Sequence, residues 1–358
     1  MKLIKSIVAL SLILCVVAAC DPAQTEDDNT PINDDQNGGG QEVSGEGTGL
    51  KNMAFGSCNR QNRDQPMWQE ILKNDPQLWV WLGDNIYGDT DDMSVMKAKY
   101  DEQLANADYK NFIAKVPITG IWDDHDYGKN DAGSEYPHKA ASQLLMMDFL
   151  GEAADSPRRQ REGTYGTRVY GEGKEKVKLL MLDTRYFRDP IERVDRIYQP
   201  NEEGDVLGEA QWQWLESELT DSDAAVHVIA SSIQIIPKDH PYEKWANLPM
   251  ARKKLFDLIA GTKAKGVILL SGDRHIAEIS KIDHDGVDYP IYEVTASGLT
   301  HSSGSGREEY NEHRVGKLVG DLNFGLMTFD WSAESVDVGL FIKGLGNEVL
   351  ESQTVTFN

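Results

Sequence analysis

Cysteine is nearly absent from this chain, with three in 358 residues, at positions 15, 20 and 58. A scaffold stapled by disulfides is therefore excluded, and a buried apolar core must hold the fold. Basic residues are also scarce, 36 Lys and Arg against 59 Asp and Glu, for a formal net charge of −23. A field of that sign repels phosphate backbones and disfavours nucleic acid as a partner. An anionic small molecule would need local positive charge from bound cations and a few arginines. Long apolar runs are missing too. The one near the amino terminus, at residues 7–17, is too short and wrongly flanked for a stable membrane span. No internal repeat is visible.

That amino-terminal run follows Lys2 and Lys5 and ends at Ala18-Ala19, the pattern of a secretory signal. Val17-Ala18-Ala19-Cys20 resembles the lipobox of bacterial lipoproteins, which implies acylation of Cys20 and a lipid-anchored protein of the bacterial cell envelope, periplasmic or on the outer-membrane surface. An ordinary cleaved leader with an incidental Cys20 is the alternative. Residues 21–49 hold eight acids, no basic residue and Gly38-Gly39-Gly40. Such a segment cannot bury enough surface to order itself, and reads as a tether. The layout is thus a leader at 1–19, a tether at 20–50 and a folded domain at 51–358. With Cys15 in the leader and Cys20 acylated, Cys58 lacks a disulfide partner. It is either a buried inert thiol or a ligand, and its place in Phe-Gly-Ser-Cys favours the ligand.

From residue 51, five short apolar runs each lead into a metal-binding side chain. Residues 52–55 precede Cys58; 78–82 precede Asp84 and Tyr87; 116–122 precede Asp123-Asp124-His125-Asp126; 177–182 precede Asp183 and Arg185; 267–270 precede Asp273 and His275. Runs of that kind read as strands buried on both faces of a layered α/β fold, whose ligands gather beyond the carboxyl ends. Helical patterns are predicted at 66–73, 94–104, 138–150, 208–218 and 248–259, with a strand at 225–236. Alternating patterns at 279–282, 291–295, 325–330, 335–342 and 348–357 predict an antiparallel tail and two facing sheets.

Gly83-Asp84 puts a carboxylate on a tight turn, and its two oxygens can bridge two cations. Tyr87 can return its phenolate to the same centre. Thiolate, phenolate and carboxylate suit ferric iron, with a hard cation such as calcium or magnesium beside it. Three acids around His125 repel one another unless cations or a proton intervene, although a solvated acidic loop is the plainer reading. A workable division makes Asp124 a ligand, His125 the proton donor to a leaving oxygen, and Asp126 the group orienting His125. Asn130 can offer an amide to metal or phosphate. Asp273 and His275, two apart in an extended segment, can face one ion. Arg185 suits phosphate or a carboxylate behind the ligands, and Arg60 and Arg274 are weaker phosphate candidates.

Phe-Gly-Ser-Cys58, Leu-Gly-Asp84-Asn-Ile-Tyr87-Gly-Asp, Ile-Trp-Asp-Asp124-His125-Asp126-Tyr-Gly-x-Asn130, Leu-Asp183-Thr-Arg185-Tyr-Phe-Arg and Leu-Ser-Gly-Asp273-Arg-His275 occur in that order. Together they resemble the signature of PhoD-like alkaline phosphatases, within the calcineurin-like metallophosphoesterases. The likeness covers about residues 52–300 and includes Leu207-Gly-Glu-Ala-Gln211-Trp-x-Trp-Leu. It implies an α/β fold, a four-layer α/β/β/α sandwich of two mixed sheets flanked by helices. It further implies a binuclear centre of ferric iron plus calcium, with magnesium or another divalent cation as the alternative second metal. Cys58, Asp84 and Tyr87 match the family's iron ligands, Asp84 its bridging aspartate, and Asp273 and His275 its late metal motif. Asn85 stands where some members carry an arginine that clamps phosphate. Gln234 lies near a ligand histidine of relatives outside the family, and the roles of Gln234 and His301 are open.

The activity implied is that of a metal-dependent phosphomonoesterase of the alkaline phosphatase D type, acting on a phosphate ester through metal-activated hydroxide. The chain would be a monomer that meets the membrane through lipidated Cys20. A phosphodiesterase or phospholipase C/D-like activity on the same centre is the alternative. A non-catalytic metal-bound surface binding protein is a third reading.

Overall fold

The computed structural model describes residues 49–358 apart from Ser305 and Arg307. The leader, Cys20 and almost all of the tether lie outside the described residues.

All five apolar runs form strands, at Asn52–Gly56, Leu78–Leu82, Ile118–Ile121, Val177–Met181 and Val267–Ser271. The first three lie side by side and parallel. They belong to a six-stranded sheet in the order Val349–Phe357, Val336–Lys343, Phe324–Trp331, Asn52–Gly56, Leu78–Leu82, Ile118–Ile121. A seven-stranded sheet runs Arg314–Val319, Ala277–Ile282, Ile291–Ala296, Val267–Ser271, Val226–Ala230, Val177–Met181, Gly166–Tyr170. Its four strands from Ile291–Ala296 to Val177–Met181 are parallel. A small ribbon pairs Arg193–Val194 with Ile197–Tyr198.

Side-chain alternation explains the layering. Leu78, Val80 and Leu82 meet Val177, Leu179 and Met181 of the other sheet, in a core lying between the two sheets. The opposite face of the first sheet turns Trp79 and Trp81 toward Trp68 of helix Met67–Leu72, with ring centroids 5.2 and 5.3 Å away. Helices Met93–Ala105, Ala107–Ile113 and Lys139–Phe149 complete that layer. Leu180, Ile229 and Leu269 of the second sheet pack against helices Gly208–Leu219 and Pro249–Thr262. The result is a helix–sheet–sheet–helix sandwich. Each large side chain buried in these cores contributes about 1.5–3 kcal/mol.

One predicted strand is shorter than the sequence pattern suggests, while the tail follows it. The strand predicted over 225–236 stops at Ala230, because the Ser231 hydroxyl bonds the Ile233 carbonyl at 2.7 Å and turns the chain. Ile233, Ile235 and Ile236 are buried as loop residues instead. The β-rich tail forms the antiparallel pairs that its alternation predicts, Ala277–Ile282 with Ile291–Ala296, and Val336–Lys343 with both Phe324–Trp331 and Val349–Phe357. Its strands divide between the two sheets, Phe324–Trp331 pairing antiparallel with Asn52–Gly56 and Ile291–Ala296 running parallel to Val267–Ser271. Helix Ala107–Ile113, capped by the Asn106 side chain, and strands Gly166–Tyr170 and Arg314–Val319 escape the sequence pattern altogether.

Candidate metal centre

The parallel strands of both sheets end on one rim, and the loops beyond them carry the donors. Cys58, Asp84, Asp273 and His275 all have left-handed backbone, with φ of 62, 51, 65 and 53°. For residues other than glycine, such conformations cost about 1–3 kcal/mol each, and they persist where surrounding structure enforces them. Gly83 is required on this rim. Its φ is 96°, and a Cβ there would lie 2.4 Å from the Asp123 Cβ.

Cys58 Sγ lies 3.4 Å from Asp84 Oδ2, and the Tyr87 hydroxyl lies 3.0 Å from the same oxygen. Tyr87 Oη is also 3.1 Å from His275 Nε2 and 3.0 Å from His301 Nε2, while the two imidazole nitrogens are 3.1 Å apart. Three donor atoms about 3 Å from one another can all face a single ion. Cys58, Asp84 and His275 form one set whose donor atoms lie within 4.8 Å of one another; Asp84, Asp124 and His125 form a second; Asp123, Asp124 and Asp273 form a third. Asp84 is common to the first two sets. Among the described residues, nothing hydrogen-bonds the buried Asp84 Oδ1, Asp124 Oδ1 and Asp123 Oδ2.

Charge gives the same result. Five buried carboxylates, of Asp84, Asp123, Asp124, Asp126 and Glu243, with the half-buried Asp273, crowd around the buried guanidiniums of Arg185 and Arg188. Burial, then the charge of Asp84, pushes the Cys58 thiol well above its ordinary pKa. Burial likewise raises Asp84 well above the carboxylate range, and Asp273 to about 7 with help from Asp124. His275 and His301 are held down to about 4 and about 3, first by burial and then by neighbouring imidazoles. Neutral imidazoles beside an excess of carboxylate, with orphaned oxygens aimed inward, are a donor set that fits cations.

The family model for PhoD-like phosphatases matches residues 53–337. The chain belongs to that family. Alkaline phosphatase D of Bacillus subtilis (strain 168) is 22% identical over 299 residues, covering 70% of this chain and 51% of that protein. The chain thus spans about half the length of that relative. The solved structure of PhoD is similar at a TM-score of 0.70 and 18% identity, covering 88% of this chain and 70% of the other. The sandwich is accordingly a metallophosphoesterase-like fold.

Within this PhoD-like fold, Cys58, Asp84, Tyr87, Asp124, His125, Asp273 and His275 come together on one rim. Other sequence expectations are corrected. Asp126 does not orient His125. It is fully buried and accepts from the backbone N–H groups of Asp84, Asn85 and Asp123 at 3.1, 3.4 and 2.8 Å. The partner of His125 is Asp89, whose Oδ1 lies 2.6 Å from Nδ1. Arg185 does not reach the cavity as a phosphate ligand. Its guanidinium is wholly buried and bound by Asp123 at 2.6 Å and Glu243 at 2.7 Å, so it holds carboxylates behind the ligands. Asn85, expected at the substrate, is buried and donates its amide to the Ile121 carbonyl at 3.0 Å. Asp183 accepts from Trp122, Thr164, Arg185 and Tyr186 and is engaged in shaping its own turn.

Gln234 joins Glu278, Thr295 and Arg274 at 2.8, 2.8 and 3.0 Å and is a brace. Arg60 lies over the Tyr87 ring, 3.9 Å from its centroid. Asn130 is exposed and lines a cavity of about 250 Å³ together with Asp124, His125, Asp273 and His275. Asp89 and His301 are the residues that sequence reasoning left without a role. His301 follows a buried strand and Ser297-Gly298, the same strand-to-glycine pattern that marks Asp84 and Asp273, and that pattern could have found it.

Proposed function

We propose that this chain is a metal-dependent phosphomonoesterase of the alkaline phosphatase D type. The single observation that carries the reading is the Asp84 carboxylate, common to two donor sets and carrying one oxygen with no partner among the described residues. Cys58, Tyr87, His275 and His301 would hold a ferric iron with it. Asp124 and Asp273 would hold calcium or another hard divalent cation with it. Bound cations would supply Lewis acidity, making a nucleophile of water and neutralising charge at phosphorus.

The chain's own groups do the rest. His125 is pushed up to about 11: burial opposes its charge, but Asp84, Asp124 and the Asp89 bond outweigh burial. With Nδ1 held by Asp89, its Nε2 would carry a proton to the departing alkoxide. Asp126 ties the Asp84, Asn85 and Asp123 backbones into one loop cluster, and Arg185 neutralises Asp123 beneath it. Asn130 offers its amide at the cavity wall. The leader and the Val-Ala-Ala-Cys20 pattern support attachment to the bacterial cell envelope through an acylated Cys20.

The test is metal analysis of the full chain combined with hydrolysis of an aryl phosphate monoester and the matching diester. Two metal equivalents and faster monoester turnover are expected, and Asp84→Asn should abolish turnover while the protein stays folded. Faster diester turnover would give the site to a phosphodiesterase. Full metal loading without turnover of either ester would leave a surface binding protein.

A further inference from the structure

The cavity beside the metal centre is lined by four acids, Asp124, Asp131, Glu243 and Asp273, in a chain of net charge −23. An anionic ester entering it needs a cation beyond the metals. Among the described residues two arginines line the cavity, Arg193 and Arg274. Arg274 is engaged: its side chain is 2% exposed, Nε donates to Gln234 at 3.0 Å, Nη2 donates to Glu309 at 2.5 Å, and its guanidinium lies over Tyr242. Arg185 and Arg188, behind the wall, are bound to Glu243. Asn85 is turned to the Ile121 carbonyl.

Arg193 differs from all of these. Its side chain is 45% exposed, and among the described residues its ion pair is a single contact of 3.3 Å to Asp131 Oδ2. Exposed pairs of that kind contribute about 0–1 kcal/mol, so an approaching phosphate dianion can take the guanidinium from Asp131. The position is built. Arg193 pairs with Tyr198 across the ribbon, whose turn residues Asp195 and Arg196 take φ of 49 and 67°, and its guanidinium lies 5.0 Å from the Tyr198 ring. Asp131 in turn donates its backbone N–H to Asp124 Oδ2 at 2.6 Å, tethering the arginine beside a metal-binding carboxylate.

We infer that Arg193 is the phosphate clamp of this site, gripping non-bridging oxygens of the ester from the cavity wall. The inference rests on the phosphoesterase reading above and names the residue that recognises its substrate. At rest Asp131 holds the guanidinium at the mouth; a bound phosphoryl group replaces that carboxylate with a bidentate partner.

The test uses the metal-loaded full chain, titrating inorganic phosphate by calorimetry and measuring KM with an aryl phosphate. Arg193→Ala should raise the phosphate Kd and the KM about 10- to 100-fold, the range for losing a charged hydrogen bond, with the melting temperature unchanged. Arg193→Lys should fall between wild type and Arg193→Ala. Arg196→Ala, on the exposed turn of the same ribbon, controls for loss of one positive charge and should behave as wild type. Values for Arg193→Ala within twofold of wild type overturn the inference. So does an equal weakening in Arg196→Ala, or a wild-type protein that binds no phosphate. If phosphate binding weakens as expected but no ester is hydrolysed, the clamp stands and the phosphoesterase reading falls.

Discussion

Asp89→Asn separates the proposed role of the His125–Asp89 pair in proton donation from that of the candidate metal centre. The carboxylate lies 2.6 Å from His125 Nδ1, with side-chain exposures of 42% for Asp89 and 16% for His125. A charged hydrogen bond of that length contributes about 1.5–3 kcal/mol when shielded, and the exposure of Asp89 brings this toward about 1–2 kcal/mol. That corresponds to a fall in kcat of roughly 5- to 30-fold. The fall should be larger for an alkyl phosphate than for an aryl phosphate, because a phenolate departs with little need of a proton. Metal content and melting temperature should hold, since Asp89 belongs to none of the three donor sets and the proposed reading gives His125 to proton transfer and not to a cation. Asp126→Asn should behave in the opposite way. Its carboxylate organises three backbone N–H groups of the metal loops, so metal content and melting temperature should drop with kcat. Steady-state kinetics with both esters, metal analysis and thermal melts on the two variants decide the matter. Turnover in Asp89→Asn within twofold of wild type on the alkyl ester would refute the dyad.

His301→Ala should weaken retention of the iron-site metal at least about tenfold, measured by competition with a chelator, if His301 joins Tyr87 and His275 at one ion; unchanged retention would remove it from the centre. Gly83→Ala combines a φ of 96° with a 2.4 Å contact to Asp123 Cβ and should cost about 2 kcal/mol or more, read as a lower denaturation midpoint with loss of metal. His227, buried between the Ser222 hydroxyl and the Lys265 carbonyl, is held down to about 4, first by burial. Its folded pKa is below the unfolded value, so its contribution is complete above about pH 6.5 and declines as pH falls toward 4. Wild type should therefore lose about 2 kcal/mol more than His227→Gln between pH 7 and pH 5 in denaturant melts, and equal losses would sink the assignment.

Much of the site was legible because the chain repeats one device. Short strands covered on both faces leave unbroken apolar runs, and each run ends where a loop must turn on the ligand-bearing rim. Cys58, Asp84, Asp124 and Asp273 could be read from that device alone. Partnerships between loops could not. Asp126 is the acid nearest His125 in sequence, yet the helical turn Asp124–Tyr127 points its carboxylate at the backbone of neighbouring loops, and Asp89 takes the imidazole from a loop 36 residues away. Arg185 suited phosphate or a carboxylate equally well, and burial against Asp123 decided between them. The Ala225 to Ile236 stretch is apolar enough for a long strand, but a serine hydroxyl capturing a nearby carbonyl ended it early.

The donors do not come from one sheet. Cys58, Asp84, Tyr87 and Asp124 follow strands of the six-stranded sheet, whereas Asp273, His275 and His301 follow strands of the seven-stranded one. Elsewhere the two sheets meet mainly through the apolar core between them, with polar ties such as the Lys317 N–H to Glu351 at 2.9 Å. Ions gripped at the rim would act as a rivet through both plates, fixing their registry at the one edge where substrate enters. Chelation should then loosen that edge first, seen as faster amide exchange around residues 57–59, 84–89 and 273–275 while the distal ends of the same strands stay protected.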